Sequence, residues 1–221
     1  MTRHAHEDAL TEQEFEQLLD GAKQLRPPPN LETMFVILLT GRLGLRIGEL
    51  AHIKRSWVNF ETGLVSIPSI EPCTKGRDGG LCGYCRRQTR RIAEREASVD
   101  LEALRTEYWQ PKTAAAERAV PFEFSARVAN IIAAFFEAFV EWPYSVHTAR
   151  RRVSIAAAVA SLAQRIYPHC LRATAASAHA YRGLTVPALQ AMMGWAQIDT
   201  AEKYIRLSGG RTKQALTEIY G

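Results

Sequence analysis

The chain has 221 residues, 28 Lys or Arg against 23 Asp or Glu, a formal net charge of +5 and 47% hydrophobic residues. That is enough to bury one full core, and one domain with elaborations is the natural reading. Apolar runs such as 34–40 and 128–140 are too short or too interrupted to span a bilayer, and residues 1–7 carry no secretory apolar stretch. Cytoplasmic residence without a membrane partner is therefore expected. The positive excess suits a polyanion but does not by itself identify one.

Along the chain, Thr11 opens the first helix, with Glu14 three residues later as in a capping box, and Phe15, Leu18, Leu19 and Ala22 at helical spacing. The Arg26-Pro27-Pro28-Pro29 stretch ends it. Residues 31–39 read as a buried helix broken by Gly41 and Gly44, and a second begins near Ile47 and runs to Ile53. Residues 63–68 alternate like a strand, and 107–110 with 118–122 look like the two arms of a hairpin. Between them, 70–106 is a charged insertion containing Cys and Gly. From Ser125 onward the pattern is helical, with segments at 128–139, 155–162, 169–181, 186–193 and 200–206, then a short helix at 212–220 suited to docking on a neighbouring subunit. The fold class is mostly α with a small antiparallel β-sheet.

Three of the four cysteines, Cys73, Cys82 and Cys85, crowd into the insertion, where the CxxC between glycines is close to structural zinc spacing. No histidine falls between residues 53 and 146. Asp78, a water, a distant histidine or Cys170 would have to complete the ligand set; three free thiols are the other reading. Arg86, Arg87, Arg90, Arg91 and Arg95 follow, with 87, 91 and 95 on one helical stripe, either a DNA-backbone surface or a solvated face. Arg150, Arg151 and Arg152 form a second basic cluster.

Some side chains invite chemistry. Arg46 and Arg172 suit bidentate clamping of a phosphodiester whose non-bridging oxygens gather charge. Tyr204 is a candidate nucleophile for a covalent phosphotyrosine. His169 can take the tyrosine proton or bond a phosphate oxygen, and Lys112 can protonate a departing 5′ oxygen. Trp195 can buttress such a site or simply fill the core.

Together these residues carry a resemblance. Thr40-Gly41-Arg42-Leu43-Gly44-Leu45-Arg46-Ile47-Gly48-Glu49-Leu50, Pro168-His169-Cys170-Leu171-Arg172 and Met193-Gly194-Trp195 with Lys203-Tyr204 resemble the catalytic domain of the tyrosine recombinase (phage integrase) family, from about Leu10 to Leu207. The Cys-Gly insertion is similar to that of archaeal plasmid or virus integrases.

The resemblance implies a tyrosine recombinase catalytic-domain fold over 1–221; the chain is expected to depart from the family in its insertion at about 70–106 and in having no N-terminal core-binding domain, which members usually carry. It implies catalytic roles for Arg46, Lys112, His169, Arg172, Trp195 and the nucleophile Tyr204, with Glu49 supporting the site. The activity implied is site-specific cleavage and rejoining of double-stranded DNA through a 3′-phosphotyrosine, by a tetramer on DNA, with no catalytic cofactor and at most a structural zinc. A type IB topoisomerase-like nicking and closing enzyme shares the same residue set. A non-catalytic DNA-binding regulator derived from a recombinase is the reading from another class.

Overall fold

The computed structural model describes residues 8–77, 79–95, 108–111 and 114–220. Thr11 caps α1 (Glu12–Lys23) through the expected box: its hydroxyl accepts from the Glu14 amide, and the Glu14 carboxylate accepts from the Thr11 amide. Pro29 opens α2 (Pro29–Gly41), where its missing N–H costs nothing. Phe35, Val36, Ile37, Leu38 and Leu39 are all buried, so α2 is apolar around its whole circumference, as a central helix must be. It packs against α1, α5 (Ala126–Ala138), α6 (Val146–Val159) and α7 (Pro168–Tyr181). The ring of Phe35 stacks on Phe135 at 3.7 Å and lies parallel to Trp142.

α3 (Ile47–Leu50) is a single turn leaving the end of α2. The three-stranded antiparallel sheet follows, in the order β1 (Val58–Asn59), β2 (Leu64–Ile67), β5 (Arg118–Pro121). Val65 faces Val120 across the β2–β5 ladder, both fully buried, which pins the register. β3 (Glu71–Pro72) and β4 (Tyr108–Trp109) form a separate two-stranded ribbon, with Glu71 opposite Trp109.

This corrects the expected hairpin. The segments around 108–109 and 118–121 do not pair with each other; each pairs back onto the β2–β3 arm. The reason is packing within one core, since Trp109 is buried beside Trp57 and His52 while Val120 is buried opposite Val65. The insertion is thus held at its root, and it carries α4 (Gly83–Arg95).

The C-terminal elements are α8 (Val186–Met193), α9 (Ile198–Ser208) and α10 (Gly210–Tyr220). α8 and α9 pack on α7 around Ala176, Leu189, Met193 and Ala201. α10 leaves Leu216, Ile219 and Tyr220 exposed. No helix among the described residues is long and apolar enough to cross a membrane.

Candidate active site

Three arginines converge on the end of α8. A helix leaves its last carbonyls without intrahelical partners and carries partial negative charge there. Here three successive carbonyls each take a different guanidinium: Arg118 Nε donates to Met192 O at 2.7 Å, Arg172 to Met193 O, and Arg46 to Gly194 O at 2.7 Å. Arg172 also donates to Gly44 O. Gly194 closes α8 in the left-handed conformation, with φ 58° and ψ 48°. A Cβ there would lie 2.9 Å from both Ala115 O and Arg118 Cδ. The glycine before Trp195 is therefore required twice, for its backbone and for the close approach of Arg118.

A single carboxylate answers these charges. Glu49 is 1% exposed and accepts from Arg46 at 2.9 Å and from both terminal nitrogens of Arg118 at 3.1 and 2.9 Å. It also accepts from the Arg46 amide at 2.8 Å, closing the N-terminus of α3. Burial alone would raise the Glu49 pKa, but Arg118 foremost, with Arg172 and Arg46, brings it below the ordinary value. Burial and the charges of Arg46 and Arg118 push Arg172 down, only partly offset by Glu49. Three guanidiniums against one carboxylate leave a local surplus of positive charge. An arginine depressed by like charges gains from an arriving anion.

Arg46, Arg172, His169, Trp195, Arg150 and Arg165 line a groove of ≈ 1330 Å³. Tyr204 is 9% exposed and packs against Trp195, the rings stacked at 5.2 Å and 14°. The Arg172 guanidinium lies 5.9 Å from the Trp195 ring. Burial raises the Tyr204 pKa and the Arg172 charge pulls it back in part, so the phenol holds its proton at neutral pH. The structure thus brings Arg46, Glu49, His169, Arg172, Trp195 and Tyr204 together, whereas Lys112 lies outside the described residues. Arg118, not singled out in the sequence, belongs to the same network.

A family-wide sequence profile, that of the phage integrase family, matches residues 8–210. The chain belongs to the phage integrase family. No curated protein matches it. Among solved structures, XerA recombinase aligns at TM-score 0.63 and 14% identity, over 96% of this chain and 65% of that one. The Tn1549 transposon integrase in complex with transposon right end DNA gives 0.58 and 19%, over 89% and 60%. The XerH recombinase bound to difH substrate in a pre-cleavage complex gives 0.57 and 14%, over 89% and 50%. At such identities the likeness is one of fold, and this integrase-family chain spans between half and about two thirds of their lengths.

The basic clusters divide. Arg86, Arg87, Arg90 and Arg91 on α4 are exposed, and the side chain of Arg95 lies outside the described residues. Arg150 lines the groove and Arg151 is exposed. Arg152 instead pairs with the fully buried Glu32, 5.4 Å from the Tyr144 ring, so it serves the core rather than the groove.

A second cluster gathers the three insertion cysteines around His52. The imidazole Nε2 lies 3.5, 3.6 and 3.2 Å from the sulfurs of Cys73, Cys82 and Cys85, and Cys82 lies 3.6 Å from Cys85. All four donor atoms fall within 4.8 Å of one another. A tetrahedral zinc with its usual bond lengths separates sulfurs by ~3.8 Å and sulfur from nitrogen by ~3.6 Å, close to what is found. The ring is already turned: its Nδ1–H donates to Gly48 O at 2.7 Å, leaving Nε2 for a metal. Hydrogen bonds from the Cys82 and Cys85 thiols hold the Cys73 pKa far down, while the reciprocal bonds hold Cys85 up as a donor. Cys170 is elsewhere, accepting from the Tyr167 amide at the start of α7. His52 is one residue outside the interval that held no histidine, 21 before Cys73, and only the fold brings it in.

Proposed function

We propose that this chain is the catalytic domain of a site-specific DNA recombinase or integrase, interrupted at about 70–106, that cleaves and rejoins double-stranded DNA through Tyr204. The observation that carries the reading is the arginine surplus held on the Met192, Met193 and Gly194 carbonyls beside a buried tyrosine. A phosphodiester in the groove would meet Arg46 and Arg172, already oriented by backbone carbonyls and by Glu49, so little reorganisation is needed as charge builds on phosphorus. Arg118 acts through Glu49 and positions the pair.

In the reaction, the Tyr204 oxygen bonds to phosphorus and the bond to the 5′ oxygen breaks. His169 takes or shares the phenolic proton, and Lys112 delivers one to the departing 5′ oxygen. The 3′ phosphate stays on Tyr204, and a 5′ hydroxyl from a partner duplex reverses the step. Trp195 holds the phenol against the arginines. The exposed arginines of α4, with Arg150 and Arg151, contact backbone phosphates, and the working unit is a tetramer on DNA. The strand transfer takes no cofactor, and the Cys/His cluster is a structural zinc site.

Nicked duplexes of randomised sequence, incubated with the protein and separated under denaturing conditions, should yield a covalent adduct that Tyr204→Phe abolishes. Arg46→Ala and Arg172→Ala should retain DNA binding and lose the adduct. Binding without any adduct would leave the regulator reading standing. Relaxation of plasmids irrespective of sequence would favour the topoisomerase-like one.

A further inference from the structure

The short helix α3 is shared by two sites. Its first turn presents Arg46 and Glu49 to the arginine network, and the residue two past its end, His52, faces the three sulfurs. Resting on the reading of that cluster as a zinc site, we propose that the metal fastens the arginine helix α4 to the catalytic turn, so that metal occupancy sets the position of Arg46 as well as the fold of the insertion.

Four contacts join the insertion to this turn. His52 meets Cys73, Cys82 and Cys85, the last on α4 itself. Tyr84, also on α4, lies so close over Gly48 that a Cβ there would be 2.4 Å from the phenolic oxygen. Lys75 Nζ donates to Ala51 O at 2.8 Å at the end of α3. Trp109 of the β3–β4 ribbon stacks on the His52 ring at 5.3 Å.

A four-residue helix has no stability of its own, because nucleation is unfavourable and too few bonds follow it. Its position is decided by its packing on α2 and α6 and by what holds its two ends. On one side Glu49 is fixed by Arg118 and Arg46; on the other, Gly48 O holds the ring that the metal would hold. Without a metal the sulfurs have hydrogen bonds among themselves, to His52 and, at Cys73, from the Cys82 amide. Releasing that end frees the carbonyl side of the turn whose opposite side orients Arg46. The same release detaches Cys85 and Tyr84, and with them the arginine face of α4. Metal loss therefore reaches the groove through one turn of helix and no other moving part.

The test uses the full chain, before and after removal of zinc by a chelator, alongside the Cys82→Ser/Cys85→Ser variant and the Tyr84→Ala variant. Elemental analysis should find one zinc per chain in wild type and in Tyr84→Ala, and none in the cysteine variant. Hydrogen exchange should speed up at residues 47–52 as well as in α4 on zinc loss, while the α2 and α5 amides keep their protection. Single-turnover cleavage of the captured DNA should slow by roughly three- to thirty-fold, the range of coupling through contiguous networks, and recover on zinc addition. Tyr84→Ala, with all four ligands intact, should show part of the same loosening at 47–50, and it keeps the question open to an answer if the cysteine variant fails to fold. No stoichiometric zinc in wild type would overturn the zinc reading and this inference with it. Zinc present, but exchange at 47–52 unchanged by its removal, would overturn the inference and leave the zinc reading intact.

Discussion

The arginine network and the thiol–imidazole cluster flank the same turn of helix, yet they are balanced in opposite ways. In the network the protein supplies its own counter-charges: Glu49 and three carbonyls at the end of α8 answer Arg46, Arg118 and Arg172. What remains is a surplus of positive charge facing a groove, which is a site prepared for an anion. In the cluster, four electron-pair donors face one another within 4.8 Å. Hydrogen bonds among them share the protons, with Lys75 near enough to act on Cys73 and Cys82, and the donor set and spacing are those that suit a metal. Preorganisation for an anion is thus built from the chain itself, whereas on the zinc reading the second cluster is completed by an ion from outside.

The sharpest way to break this contrast is to remove the counter-charge of the first site. Glu49→Gln leaves three guanidiniums without their carboxylate, and the loss of stability should be about 3–5 kcal/mol, as for a buried pair deprived of one partner. Urea unfolding would read it. The sign with pH is fixed by the depressed pKa of Glu49. A carboxylate that binds its proton less readily in the folded chain contributes in full above its ordinary value, and that contribution fades as pH falls through the lower folded value. The gap between wild type and variant should therefore close in acid. A gap that persists there would mean that Glu49 stabilises the fold by shape rather than by charge.

Next in size is the ion itself. With zinc at a hundredfold excess over its dissociation constant, linkage adds about 2.7 kcal/mol to the wild type. The Cys82→Ser/Cys85→Ser variant should be indifferent to zinc and to chelator. Equal sensitivity of Glu49→Gln and wild type to chelator would show that the two sites add independently in stability. A chelator effect that vanishes in Glu49→Gln would show that they do not.

The sequence made one of these regions far more legible than the other. Arg46, His169, Arg172, Trp195 and Tyr204 were readable because they fall in short segments on helices or at their ends. Arg118 was not, because its partner Glu49 is 69 residues away and only the β2–β5 pairing and the turn at Gly194 bring them together. The metal cluster was readable as three cysteines, since CxxC is local, but His52 is joined to it by tertiary structure alone. Two helices followed their caps and apolar spacing closely, as Thr11 and α8 show. The one expected at 155–162 is instead α6, which starts nine residues earlier behind the Ser145 cap and ends at Val159. The hairpin misread had a different cause: two short strands of similar pattern can each choose between partners, and burial of Trp109 and Val120 decides it.

A smaller change tests whether the arginines depend on the backbone of α8. Gly194→Ala places a side chain in the left-handed region, at a cost of about 1–2 kcal/mol, and sets its Cβ against Arg118 and Ala115 O. Because Gly194 O holds Arg46, cleavage should fall by more than the stability change would give, measured under conditions where the protein stays folded. Cleavage equal to wild type would mean that the carbonyl bond to Arg46 is dispensable.

The smallest change probes the scaffold away from both sites. Thr11→Ala removes the side-chain cap of α1 and should lower stability by ~1 kcal/mol, since the hydroxyl bonds from the Glu14 amide and to the Glu14 carboxylate are lost while the backbone N–H bond to that carboxylate remains. α1 packs on α2 and α6, the two helices that α3 also touches, and makes no comparable contact with α3 itself. Its links toward the site are Arg42, which Glu12 and Glu16 hold from α1 four residues before Arg46, and Gln164 of the groove wall, which donates to Glu14 at 3.3 Å. If α3 is positioned by the arginine network and the metal, the frayed cap should leave cleavage and zinc content at wild-type levels while the unfolding midpoint drops. A matching drop in cleavage would mean that α1 steers the site through Arg42 or Gln164, and that the groove answers to the whole bundle rather than to the two ends of the short helix.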